Sequence, residues 1–222
     1  MRLKRMYKPC SLFFILPVIF AMLSYTIQDT NDSYVSPLST FSSEWDDSKY
    51  EFCNTASGTD YLAEEEKNLI HILNLARTNP SLFANTVIIK YINTPDKLYL
   101  QNNSNLKSLL AMMKTMKPIG ILKPDEKCFT SAQCHAKSSG TIGYVGHDRK
   151  NNSCKQNSYF FGECCDYGHD KALGIVITLL IDENVASLGH RKIFLDPAYK
   201  SLGVSIQPHK TFRFNAVMDF AY

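Results

Sequence analysis

Apolar positions follow two periods along this chain. Between residues 59 and 183 they recur every three or four residues, as on one face of a helix, and after residue 201 they alternate, as on a strand. In "DYLAEEEKNLIHILNLARTNP", Leu62, Leu69, Leu73 and Ala76 share a stripe. Glu64 to Glu66 fill the first turn, where the helix dipole favours acids, and Asn79-Pro80 stops the element. His71 sits on the flank of that stripe, a packed or surface position. "SLFANTVIIKYI" follows with Ser81 as its cap, and then "NLKSLLAMMKTMK", where Leu106, Leu109, Leu110 and Met113 repeat at helical spacing. Met112, Met113 and Met116 read as core filler. "KPDEKCFTSAQCHAKSSG" opens on a proline and two acids and closes on Gly140, which predicts another helix. "DKALGIVITLLIDE" is the most apolar segment of the body; its Ile-Val-Ile-Thr centre would suit a buried strand, but its length favours a helix. "SLGVSI" and "FRFNAVMDF" alternate, with Leu202, Val204 and Ile206 on one face, Phe212, Phe214 and Ala216 on another, and "QPHK" turning between them. Helices first and an antiparallel hairpin last predict an α+β layered domain.

The two ends of the pattern differ from its middle. "MRLKRMYK" is basic and "SLFFILPVIFAML" is apolar but short, so residues 1–26 read as a signal peptide, with an uncleaved anchor as the alternative. Residues 27–58 are rich in Ser, Asp, Thr and Asn. The single tryptophan, Trp45, stands among them without apolar periodicity, so the stretch reads as a polar linker pinned at Cys53. Residues 59–222 remain as one folded domain, which is what 222 residues with 45% apolar content support.

Charge excludes one class of partner. Arg2, Lys4, Arg5 and Lys8 leave with the N-terminal peptide, so 20 of the 24 bases remain against 21 acids. No basic face is left to argue for nucleic acid. Membrane contact is expected only through an uncleaved N-terminus, and the localisation is secreted or extracellular.

Without Cys10 the domain keeps Cys53, Cys128, Cys134, Cys154, Cys164 and Cys165, an even number that predicts three disulfides in an oxidising compartment. Adjacent Cys164 and Cys165 would form a strained ring, and Cys128 and Cys134 on one helix cannot meet. About ten of the 15 pairings survive. A cysteine zinc site is the weaker alternative, since no CxxC pair is present. Asn31, Asn102 and Asn151 open N-x-S sequons.

Three stretches set titratable side chains beside glycines: "YVGHDR" with His147, "FFGECCDYG" with Glu163, and "SLGHRK" with His190. Gly146, Gly162 and Gly189 each allow a turn that aims the next side chain. Phe160 and Phe161 suggest that Glu163 emerges from a buried strand. Two imidazoles and a carboxylate could hold a divalent cation with an open position, or form a hydrogen-bonded polar cluster without one. Other polar residues read as bland: His135 packs inward or donates to backbone, His169 and His209 sit in turns, and Arg191 with Lys192 forms a solvated pair.

The set "LARTNP", "CHAKSSG", "YVGHDR", "FGEC", "LLIDENVASLGHRKIFLDPAYKSLGVSI" and "FNAVMDFA" resembles the CAP superfamily, which comprises cysteine-rich secretory, antigen 5 and pathogenesis-related proteins, especially its SCP-like extracellular branch. The resemblance implies a three-layer α-β-α sandwich and a cleft lined by two histidines and acids, reported to hold metal in some relatives. His147 matches the first cleft histidine, Glu163 the glutamate of the Gly-Glu-Asn motif, and His190 the second histidine. Cys164 replaces the asparagine of that motif, and the tryptophan before the second histidine is missing. Asp182, rather than Glu183, is chosen as the second carboxylate. The expected function is a secreted binding or interaction module whose cleft takes Zn2+, another divalent cation or a small ligand, with grooves for lipid or an extracellular protein. No cofactor is required for the fold. The alternative is a metal-dependent hydrolase with His147 and His190 as ligands and Glu163 as ligand or general base. Serine catalysis is weaker still, because neither Ser187 nor Ser201 stands in a GxSxG elbow.

Overall fold

A computed structural model describes residues 34–222; the expected signal peptide, Cys10 and the Asn31 sequon lie outside the described residues. Residues 34–58 are not a linker. They form two short 3-10 turns, Ser43–Asp46 and Ser48–Cys53, and bury Leu38, Trp45, Tyr50 and Ala56 in the main core. Trp45 is 0% exposed, packs against Tyr50 and Phe83 and donates from its indole to Thr86. Isolated 3-10 turns carry no sustained hydrophobic period, which is why the segment reads as polar.

Helix α1 (Glu64–Thr78) follows, then α2 (Pro80–Leu82), a π-helical turn (Phe83–Ile88) and α3 (Ile89–Ile92) in unbroken succession, and α4 (Ser104–Thr115). Strand β1 (Lys123–Pro124) precedes α5 (Glu126–Ile142), which runs past Gly140 and ends at Gly143, the residue in the left-handed conformation. Next come α6 (Asn152–Gln156), β2 (Gly162–Tyr167), α7 (Ala172–Ile181), α8 (Gly189–Phe194), β3 (Ser201–His209) and β4 (Arg213–Ala221). The apolar run at 172–181 is a helix, and the terminal pair is an antiparallel hairpin. Its turn falls after His209 rather than within "QPHK", and Phe212 is exposed ahead of β4.

The sheet runs β1-β3-β4-β2, with β1 parallel to β3 and the other pairs antiparallel. Helix α5 crosses β3 and β4 on one face, while α1 reaches β3 from the other and α7 packs on α1. This gives helix, sheet and helix layers. Strand alternation divides the residues between them: Cys164, Met218 and Phe220 enter the main core, whereas Cys165 and Val217 face Ala132 and Ala136 of α5. Gly203 lets α5 approach β3, since a Cβ there would meet the backbone of Cys128 and Phe129. On the other face, Glu66 of α1 accepts from the Ile206 N–H at 2.8 Å, and buried Arg77 donates to the carbonyls of Gly120, Phe194 and Asp196.

One disulfide is present among the described residues, Cys134–Cys154, joining α5 to α6. The expectation of three is therefore corrected. Cys164 and Cys165 project to opposite sheet faces, Cys53 lies beside Thr78, and Cys128 is in the first turn of α5 where that helix crosses β3; all four are buried and unpaired.

Candidate functional site

The loop after α5 carries His147. Gly146, at φ +130°, is clamped from both sides: its N–H donates to the Tyr167 hydroxyl at 2.9 Å, and its carbonyl accepts from His135 Nε2 at 2.9 Å. His147 then reaches Glu163 on β2, Nδ1 to Oε1 at 2.8 Å. The imidazole side chain is 58% exposed and the glutamate 4%. Phe160 and Phe161, by contrast, are surface residues ahead of β2, so Glu163 is buried by the α5 face of the sheet rather than by its apolar flank.

Behind Glu163 lies a network the sequence reading missed. Arg149 pairs with Glu163 Oε2 through Nη1, and with Asp219 Oδ2 through Nη2 at 3.0 Å. Ser131 of α5 donates to the same Asp219 oxygen at 2.6 Å, and the Arg149 guanidinium covers the Phe160 ring. Asp219 stands directly opposite Glu163 in the β2–β4 register, so two carboxylates meet inside one buried pocket with one guanidinium. Burial, together with the neighbouring Glu163 charge, pushes Asp219 up to about 9 and keeps it protonated at neutral pH. Burial acts in the same direction on Glu163, but the His147 and Asp219 hydrogen bonds and the Arg149 charge outweigh it and hold Glu163 below its ordinary value. The Glu163 hydrogen bond raises His147 above its ordinary value. A signal for Asp219 exists in the sequence: it is an acid set among Ala216, Val217, Met218 and Phe220 in an apolar strand.

The second histidine is aimed by a backbone that Gly189 does not bend. Asp182 caps the C-terminus of α7 in the left-handed region, φ 59°, and Asn184 and Leu188 also have positive φ. Gly189 is the first residue of α8, so His190 starts a helix rather than ending one. The Asp182 carboxylate accepts from the His190 N–H at 3.0 Å and from His190 Nδ1 at 2.7 Å. Arg191 is buried, not solvated; it donates to the carbonyls of Leu180, Ile181 and Asn105 and to Ser108 Oγ.

The His147 and His190 rings therefore face each other with centroids 6.5 Å apart. Each presents Nδ1–H to a buried carboxylate, and among the described residues no group bonds Nε2 of either ring. Carboxylate partners of this kind fix the tautomer and direction of metal-binding imidazoles, and here they leave each Nε2 with its lone pair. Of the other histidines, His169 bonds Asp166 at the end of β2, and His209 lies at the end of β3, where it accepts from the Thr211 and Phe212 N–H groups. A separate cavity of about 210 Å³, lined by Tyr91, Lys97, Tyr99, Leu100, His169 and Ile181 among others, includes neither His147 nor His190.

A search of curated proteins finds no significant match to this chain. The profile of the cysteine-rich secretory protein family, CAP, matches residues 113–220, a span that contains β1, α5, His147, Glu163, Asp182, His190 and the terminal hairpin. This match, together with the α+β sandwich, supports membership of the CAP family.

Proposed function

We propose that this domain is a secreted binding module whose His147–His190 pair takes a divalent metal ion, with zinc as the reference ion. The observation that carries the reading is the pair itself: two imidazoles 6.5 Å apart, each oriented through Nδ1 by a buried carboxylate, each with Nε2 unbonded among the described residues. A cation held there by two nitrogens keeps positions open for a ligand atom. Glu163 and Asp182 act through the rings, fixing tautomer and direction, while Arg149 keeps Glu163 ionised. A metal-dependent hydrolase is less well supported, because Glu163, its general base, is only 4% exposed and turns its oxygens to His147 and Arg149 rather than to solvent. Lipid is less well supported too: the larger pockets, about 350 to 510 Å³, are lined mainly by polar and charged residues such as Lys137, Thr141, Gln207 and Lys210. With the His147 side chain 58% exposed, the pair is reachable by a small polar ligand or an extracellular protein. Secretion is supported by the basic and apolar N-terminal segment and by the Cys134–Cys154 disulfide, and no helix among the described residues is long and apolar enough to cross a membrane.

Zinc titration by calorimetry tests this. The expected result is a binding event that disappears in both His147→Ala and His190→Ala and weakens about 10- to 100-fold in Asp182→Asn. Zinc binding that is unchanged in both alanine variants overturns the reading.

A further inference from the structure

One cluster behind the cleft shares Glu163 with the imidazole pair and the Arg149 network and adds two residues that neither uses, His135 and Cys165. A ring nitrogen of His135, the Cys165 sulfur and a Glu163 carboxylate oxygen lie within 4.8 Å of one another, and all three residues are buried. They come from two elements facing each other across one interface, His135 from α5 and Glu163 and Cys165 from alternate positions of β2. His135 Nε2 donates to the Gly146 carbonyl, which leaves the lone pair on Nδ1. That Nδ1 has no hydrogen-bond partner although His135 is 0% exposed. An orphaned acceptor at that depth calls for an occupant.

We propose that His135, Cys165 and Glu163 form a second, buried metal site for a thiophilic divalent ion, of the class that zinc and cobalt represent. Zinc bonds of about 2.0 Å to nitrogen and 2.3 Å to sulfur set tetrahedral donors roughly 3.3–3.5 Å apart, so the cluster closes on an ion by movements of about 1 Å. Glu163 can serve, because an ionised carboxylate has about four lone-pair sites and its three partners, His147, Arg149 and Asp219, leave one. Burial pushes the Cys165 thiol well above its ordinary range, so the thiol is neutral until an ion replaces its proton, which leaves to solvent. Entry is by way of His147, whose Nδ1 lies 3.8 Å from the Cys165 sulfur and whose ring is the exposed member of the group. The donor set shares Glu163 with the His147 half of the cleft but includes neither His190 nor Asp182, so a change at His190 separates the two sites.

Cobalt(II) titrated into the full-length protein, with the Cys134–Cys154 disulfide intact and the other cysteines reduced, separates the two. A sulfur-to-cobalt charge-transfer band in the near ultraviolet arises only if a thiolate ligates the ion. The band is expected in the wild type and in His190→Ala, and is expected to vanish in Cys165→Ser. His135→Gln, which can keep a donor toward Gly146 while losing the Nδ1 lone pair, should weaken cobalt binding about tenfold or more; it also serves if Cys165→Ser does not fold. Absence of the band in the wild type, its persistence in Cys165→Ser, or an unchanged affinity in His135→Gln overturns the proposal, whatever calorimetry finds at the cleft.

Discussion

Replacing Arg149 by methionine keeps most of the side-chain volume and removes the guanidinium from a pocket holding two carboxylates. Arg149 and Glu163 side chains are each 4% exposed and Asp219 is 0% exposed, so water cannot take over the lost pairing. Breaking a buried pair from one side costs about 3–5 kcal/mol. Asp219 is already held neutral at pH 7, so the loss falls on Glu163. Glu163 has an escape, which is to take up a proton. From an unfolded value near 4.3, protonation costs about 3.7 kcal/mol at pH 7 and about 1 kcal/mol at pH 5, at 1.36 kcal/mol per pH unit. The variant should therefore lose about 3–4 kcal/mol at pH 7 and roughly 1–2 kcal/mol at pH 5. The sign follows from linkage. Without Arg149, burial raises the folded value of Glu163 above the unfolded one, the folded state binds the extra proton, and the variant regains stability as pH falls through that raised value. Urea unfolding followed by the fluorescence of the single tryptophan measures both points. A loss under about 1 kcal/mol at pH 7, or an equal loss at both pH values, would refute the assignment of Arg149 as the counter-charge of a buried, ionised Glu163.

Two further outcomes bear on the fold. Trp45→Ala should cost about 3–5 kcal/mol, the loss for a fully buried tryptophan, and a protein beginning at residue 59 should not reach native stability. Unchanged urea midpoints for either would return residues 34–58 to the status of a linker. Replacing Cys134 and Cys154 by serine opens a loop with a sequence separation of 20 and should cost about 3 kcal/mol, read as a lower urea midpoint at constant m-value. Equal midpoints would show that the bridge is not formed in solution.

What was legible in the sequence had a period or a special backbone beside it. The long helices and the hairpin announced themselves by spacing, and His147 and Glu163 by the adjacent Gly146 and Gly162. What was hidden depended on pairing across distance. Trp45 is buried by Phe83, 38 positions away, and by 3-10 turns that set no repeat. Asp219 gains its meaning from the register that sets it opposite Glu163, and Cys165 from the alternation that turns it away from Cys164 and toward α5. Seen only as a pair, the two cysteines suggest oxidation; seen on a strand, they belong to different layers, which is why the count of six did not become three bridges.

The segment ahead of His190 carries a related argument. Asp182, Asn184 and Leu188 all adopt positive φ within seven residues. Asp and Asn tolerate the left-handed region, but Leu188 does so at a cost of order 1–3 kcal/mol, although a glycine is available at the next position. Such a conformation persists only where surrounding bonds over-determine it. Those bonds can be named: Asp182 accepts from the His190 N–H and ring, and Arg191 ties the start of α8 to the end of α7 and to α4. Together they fix both ends of the strained stretch, and the group they leave pointing at His147 is the His190 imidazole. A chain that needed only to join α7 to α8 could have relaxed with glycine at position 188, so the strain is accounted for by the direction it gives that ring.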